Sequence, residues 1–247
     1  MYTAFASVYD RLMADVDYSA WAAFYHDLLS RRGVSTGAVC ECACGTGSLT
    51  LPLDKTYDMI GVDQSADMLS VATEKARRAG RPIPFIQMDM RRLALHRPVD
   101  GVLCTCDGVN YLESEQAVAA FLQAAYCALR PGGALVFDVS TPYKLKTQLG
   151  NRTLTRDADD IAYLWQNRYT EKNRRVDMSL SIFWRQPNGL YERVLEEQTQ
   201  YGYTRGALEH LLQDAGFADI AVYGDRTLAA PRAAEKRWHI AATKKER

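Results

Sequence analysis

The nine residues Val39-Cys-Glu-Cys-Ala-Cys-Gly-Thr-Gly47 constrain this chain more than any other stretch. An apolar run carrying one carboxylate, Glu41, enters a Gly-x-Gly turn, and Ser48 and Leu49 then read as a helix start. Gly45 and Gly47 permit backbone angles and close approaches that a Cβ would block. Such a turn exposes backbone N–H groups at a helix N-terminus, a cradle for a polar ligand. A second short apolar run, Met59 to Val62, ends in Asp63, eighteen residues after Gly45. An acid at that place accepts both hydroxyls of a ribose. The two strands and the turn between them predict an α/β fold with a nucleoside-cofactor site.

Two cofactor classes use this geometry. The nicotinamide fingerprint Gly-x-Gly-x-x-Gly/Ala lacks its third small residue here, which would be Thr50 counted from Gly45 or Ser48 counted from Ala43. The series Glu41-Cys42-Ala43-Cys44-Gly45-Thr46-Gly47 instead resembles the first motif of class I S-adenosylmethionine (SAM)-dependent methyltransferases. The resemblance continues in order through Gly61-Val62-Asp63-Gln64-Ser65, Gln87-Met88-Asp89-Met90, the strand Val99 to Cys106, and Leu129-Arg130-Pro131-Gly132-Gly133. Residues 211 to 217, Leu-Leu-Gln-Asp-Ala-Gly-Phe, resemble the C-terminal half of the same family. One departure is Ala43 at the first glycine, which adds a methyl near the expected cofactor. The resemblance implies SAM as cofactor, with Glu41, Ala43, Gly45, Gly47, Asp63, Gln64, Met68, Asp89, Met90 and Asp107 as its contacts. It also implies that Asp89 bonds the adenine amino group while Met90 packs by the ring.

The opening residues 2 to 32 read as helical and strongly aromatic, with Tyr2, Phe5, Tyr9, Tyr18, Trp21, Phe24 and Tyr25. Phe5-Ala6-x-x-Tyr9-Asp10 followed by Tyr18-x-x-Trp21 resembles the N-terminal cap of a small-molecule methyltransferase subgroup, a segment that closes over the cofactor. SAM carries a sulfonium, and aromatic faces attract cations by roughly 0.5–2 kcal/mol. Tyr9 and Trp21 are therefore candidates to line the cofactor site, with plain helix packing as the alternative.

Val99 to Cys106 is expected to be the fourth strand, and Asp107-Gly108-Val109-Asn110-Tyr111-Leu112 leaves its carboxyl end. Ligands of open α/β sheets bind outside such ends. Asp107, Asn110 and Tyr111 are the candidates for acceptor contacts, and Asp107 and Tyr111 the candidates for catalysis, Asp107 as a base. A turn and a helix cap would use the same residue types. Residues 161–170, 176–185 and 191–201 then alternate as strands, joined at Glu171 to Arg174 and at Pro187-Asn188-Gly189. Their aromatics include Tyr169, Tyr201 and Tyr203, which are expected to supply an apolar acceptor wall or else the core of the insertion itself.

A formal net charge of zero gives no long-range field to draw a polyanion, so nucleic acid is disfavoured as a partner. No apolar run approaches the ~20 residues of a membrane-spanning helix, and no signal peptide is visible, so the expected location is cytoplasmic. Six cysteines and four scattered histidines match no zinc spacing. Cys40, Cys42 and Cys44 alternate, as do Cys104 and Cys106, and read as small buried hydrophobes, or as a redox pair between neighbouring strands. Together these features predict a Rossmann-like α/β fold: a seven-stranded, mostly parallel sheet with flanking helices and a small antiparallel β insertion. The division expected is a helical cap at 1–34, a SAM-binding domain at 35–141 and 204–247, and the insertion, as acceptor-binding part, at 142–203. The expected activity is methyl transfer to a nitrogen or oxygen of a small molecule. A degenerate binding module and an NAD-dependent oxidoreductase are the alternatives.

Overall fold

The computed structural model describes residues 3–158 and 160–246; Tyr2, one of the opening aromatics, lies outside the described residues. Seven strands form the main sheet: β1 (Ala38–Cys42), β2 (Asp58–Asp63), β3 (Phe85–Gln87), β4 (Val99–Cys104), β5 (Leu129–Ser140), β10 (Phe217–Tyr223) and β11 (Arg237–Lys244). Their order is β10-β11-β5-β4-β1-β2-β3, with β11 antiparallel to both neighbours and β1 to β5 parallel. The chain order reverses beside β1, between β4 and β2, which is where a ligand crevice forms in such sheets.

Helices cover both faces. On one side α5 (Glu115–Ala128) and α6 (Arg205–Asp214) bury Phe121, Leu122, Leu208 and Leu212 against Val102, Leu135 and Phe137. On the other, α2 (Tyr18–Ser30) and the short α3 (Thr50–Leu53) bury Tyr25, Leu28, Leu29 and Leu53 against Val39, Leu103 and Val136. The strands buried on both faces are nearly continuous apolar runs, as parallel packing requires. Helix starts are fixed by local chemistry: Asp17, Ser65, Ser114 and Thr204 each accept a backbone N–H of the first turn, of Ala20, Met68, Ala117 and Ala207. Ser65 thereby opens α4 (Ala66–Arg78) directly after the acid of β2.

The insertion is a separate antiparallel sheet of four strands, β6 (Thr153–Asp157), β7 (Ile161–Thr170), β8 (Arg175–Arg185) and β9 (Tyr191–Tyr201), in that order. Strand β6 was not legible in the sequence; five residues, three exposed and two half-buried, carry too little pattern. The inner face of β7 and β8 packs on two partners. Ile161 and Ile182 meet Phe5 and Val8 of α1 (Thr3–Leu12), and Val176 and Met178 meet Leu145 and Leu149 from one turn of π-helix. The second partner fixes Tyr169, which packs in this cluster. All six cysteines are free, and Cys40, Cys42, Cys44 and Cys104 are buried in the main domain. Among the described residues no helix is long and apolar enough to cross a membrane.

Candidate functional site

A cavity of about 740 Å³ opens at the carboxyl ends of β1, β2 and β4, between the glycine turn, α1 and strand β9. Its wall carries Tyr9, Glu41, Ala43, Gly45, Asp63, Gln64, Met68, Met90 and Tyr111, nine of the residues singled out in the sequence. Strand β1 contributes Glu41, which alternates there with the small buried thiols of Cys40 and Cys42. Glu41 itself lies only 1% exposed. Hydroxyls of Thr50 and Thr105 donate to its two oxygens at 2.6 and 2.9 Å. Burial raises this carboxyl to about 7, and those two hydrogen bonds offset the effect only in part.

The two glycines of the turn have different reasons. At Gly45 (φ +53°) an added Cβ would meet no protein atom within 4 Å, so the space beside it belongs to the cavity. At Gly47 (φ +69°) a Cβ would stand 3.1 Å from Ala72 and from the Phe85 ring. Gly47, expected as a ligand contact, packs the turn against α4 and β3 and is not part of the cavity wall. Ala43, in the left-handed region at φ 53°, is accommodated by Gly108 opposite: a Cβ there would sit 3.1 Å from the Ala43 methyl and 2.7 Å from Cys104 Sγ. Asp63 holds the turn from the other side. Its carboxylate accepts the N–H of Gly45 at 2.8 Å and that of Ser65 at 2.9 Å. An ionised carboxylate offers about four lone-pair directions, so two backbone bonds leave capacity for a diol.

A polar latch joins α1 to this turn. Thr46 donates to Asp10 at 2.6 Å, Ser48 does so at 3.1 Å, and Lys75 of α4 reaches Asp10 at 2.7 Å and Ser48 at 2.6 Å. Phe5, Tyr9 and Tyr18 of the same N-terminal segment face the cavity. Across from them, Glu196, Glu197, Gln198 and Thr199 of β9 close the wall, and Tyr111 donates its hydroxyl to Gln198 at 2.9 Å. None of these β9 residues was singled out in the sequence. The sequence carried no signal for them, because only the register puts Glu196, Gln198 and Gln200 on one face with Leu180, Met178 and Val176.

Other expected site residues lie elsewhere. Trp21 packs against Tyr25 and His239 and covers the Arg237 guanidinium at 5.1 Å, outside the cavity wall. Asp89 is taken by Arg91, whose Nε lies 3.0 and 2.9 Å from its oxygens and whose Nη2 lies 2.7 Å away. Its neighbours Gln87, Met88, Met90 and Arg91 reach the cavity instead. Asn110 is fully buried and spends both ends of its amide on the backbone, donating to Ser140 and Tyr201 and accepting from the Ser140 N–H. Tyr201 packs against the main core, and Tyr203 is buried there with its hydroxyl on the Leu112 carbonyl. With Tyr169 set against the π-turn, none of these three aromatics lines the cavity, and polar side chains of β9 do. Asp107 does not line the cavity. Burial alone would raise its carboxyl, but Arg237 at 2.7 Å and Lys144 at 3.3 Å outweigh burial and hold it at about 2. So strongly paired an acid is a poor base.

The residues fit SAM on two observations: the empty space a Gly45 Cβ would fill, and the half-buried Asp63 carboxylate with acceptor capacity to spare. Comparison with known proteins agrees. Residues 39–133 match the family model described as Methyltransferase domain. The chain is 32% identical to YqeM of Bacillus subtilis (strain 168), itself named only as a candidate methyltransferase, over 99% of this chain and 97% of YqeM. It superposes on an S-adenosylmethionine-dependent methyltransferase from Clostridium acetobutylicum with a TM-score of 0.90 at 28% identity, covering 99% of both chains. A further relative, the dTDP-3-amino-3,4,6-trideoxy-alpha-D-glucopyranose N,N-dimethyltransferase of Streptomyces venezuelae, is 31% identical over 54% of this chain and 56% of its own length. The chain belongs to the class I SAM-dependent methyltransferases.

Proposed function

We propose that the enzyme transfers the SAM methyl group to the nitrogen of a small amine. The observation that carries this reading is the charge of the cavity. Among the described residues, six carboxylates line it (Glu41, Asp63, Asp67, Glu113, Glu196 and Glu197) against one cation, Arg91, which is already paired with Asp89 and Glu113. A wall of that sign favours a ligand that arrives as an ammonium ion and disfavours an anionic one. The Streptomyces venezuelae relative, whose name gives it an amino sugar as substrate, supports the same chemistry.

When bound, SAM supplies a methyl group already activated on a sulfonium, with a neutral thioether as leaving group. The work left to the chain is placement, proton removal and exclusion of water. In this reading Asp63 accepts the ribose hydroxyls, the Gly45 turn admits the methionine portion, and Met68 and Met90 pack near the adenine. Phe5, Tyr9 and Tyr18 cover the sulfonium. The insertion supplies the acceptor side through Glu196, Gln198 and Thr199 of β9, with Tyr111. Glu196 is 7% exposed, and burial raises its carboxyl, so it is the group suited to take the proton an ammonium must lose before attack.

The test is a matched panel of amines and alcohols, amino sugars included, assayed for S-adenosylhomocysteine release. Turnover confined to amines supports the reading. Turnover of alcohols alone overturns the nitrogen assignment. Binding of SAM with no turnover across a broad metabolite panel would leave a binding module instead.

A further inference from the structure

Behind the cavity floor lies a buried polar cluster that the methyl-transfer site does not use directly. Asp138 of β5, fully buried, accepts the backbone N–H of Cys106 at 2.8 Å and of Asp107 at 2.9 Å, together with the Tyr25 hydroxyl. Arg237 of β11 pairs with Asp138 and stands 2.7 Å from Asp107, and Lys144 bridges Asp107 and Ser140. The Trp21 ring lies over the guanidinium.

What this cluster holds is an unusual turn. Cys106 and Asp107 are consecutive left-handed residues, φ 54° and 65°, and neither is glycine. L residues avoid that region, and two in succession persist only where the surroundings over-determine them. Here their two N–H groups converge on one carboxylate, and the Arg237 guanidinium pairs with that same carboxylate in the core. The turn sets the cavity floor: Thr105 bonds Glu41, and Cys106, Gly108 and Tyr111 line the wall. Arg237 itself does not reach the cavity.

We propose that Arg237 is a positioning residue for methyl transfer, fixing the Cys106–Asp107 turn, and with it the cavity floor, through Asp138 and Asp107. The proposal rests on the reading of this cavity as the methyl-transfer site. It predicts that losing the guanidinium loosens the floor locally while the rest of the core stays closed.

Cys106 reports on the floor, and Cys40, Cys42 and Cys104 report on the core. The experiment is N-ethylmaleimide labelling of the folded protein, read peptide by peptide by mass spectrometry, for the parent, Arg237→Met and Arg237→Lys. Calorimetry with S-adenosylhomocysteine is run alongside. The expected result is labelling of Cys106 at least about tenfold faster in Arg237→Met, as for a local opening, with the three core thiols still protected. Arg237→Lys should fall between this variant and the parent. If Arg237→Met does not fold, the same ratio is read in Arg237→Lys. Equal acceleration at all four thiols makes Arg237 a general stabiliser and overturns the proposal, as does unchanged labelling of Cys106. A parent that fails to bind S-adenosylhomocysteine overturns the cavity reading, and the positioning role with it, even where labelling is selective.

Discussion

The Tyr111 hydroxyl lies 2.9 Å from Gln198 Oε1, a bond between the loop after β4 and the free edge of the insertion. In the proposed reading it spans the acceptor side of the cavity. Tyr111→Phe removes one neutral hydrogen bond, worth about 0.5–1.5 kcal/mol. The expected outcome is a loss of up to about tenfold in kcat/KM for the acceptor with near-parental SAM affinity by calorimetry. A matching loss of SAM affinity would move Tyr111 to the cofactor side.

If Asp63 accepts the ribose hydroxyls as proposed, Asp63→Ala removes charge-assisted bonds worth about 1.5–3 kcal/mol. SAM affinity should fall by about one to two orders of magnitude, with a further contribution from the freed Gly45 and Ser65 N–H groups. Circular dichroism should show the fold retained. Unchanged affinity in a folded variant would remove Asp63 from the site.

Glu41 sets a pH dependence with a definite sign. Its carboxyl sits at about 7 in the folded chain against an ordinary 4.5, so the folded state holds its proton over a window where the unfolded state has lost it. Stability from this group therefore falls as pH rises from about 4.5 through 7, by on the order of 3 kcal/mol. Urea denaturation at pH 5 and pH 7.5 should show a difference that Glu41→Gln reduces. A cation bound nearby favours the ionised form, so SAM affinity should rise with pH across the same window. An affinity that is flat from pH 5 to 8 would show that Glu41 does not respond to the cofactor.

The Asp10 latch predicts that α1 is a cover whose closure is coupled to the cofactor. Hydrogen exchange in residues 3–12 should slow when S-adenosylhomocysteine is added, and Asp10→Ala should weaken that protection. Asp10 is more than a third exposed, so its pair with Lys75 contributes at most about 1 kcal/mol. The expected drop in affinity is correspondingly small, about two- to fivefold. Equal exchange with and without ligand would make α1 static packing.

Tyr203 separates packing from chemistry. It is 5% exposed in the main core, so Tyr203→Ala should destabilise by about 3–5 kcal/mol. Tyr169→Ala should leave SAM affinity and turnover near the parent, because Tyr169 faces the π-turn. Large loss of turnover in a stable Tyr169→Ala protein would return the aromatic wall to the acceptor site.

What the sequence disclosed follows from range. The Gly45 turn, Asp63 and the order of the strands rest on local backbone demands, and local demands are written in residue type. Asp107 and Asn110 stand where site residues stand in such sheets, yet their partners are Arg237 and Tyr201, 130 and 91 residues away. Position along the strand could not reveal that these side chains were already spent. The β9 wall was hidden for a different reason. Glu196 and Gln198 read as the solvated stripe of an ordinary strand until the register placed them on the same face as Leu180 and Met178.

Strand β11 lies between β5 and β10, so β10 has no other neighbour in the sheet. Until β11 is in place, the edge of β5 is an open template of unpaired backbone groups, and Asp138 lies in the core without Arg237. During synthesis the ribosome must release residues 237–244 before either deficiency is made good. Closing this antiparallel pairing brings Arg237 to Ser140 across a long stretch of chain and carries a loop-closure cost of its own. A chain stalled short of it would hold the glycine turn and Asp63 in a growing sheet while lacking a finished floor. Cofactor recognition and catalytic competence would thus arise at different moments in the life of one polypeptide.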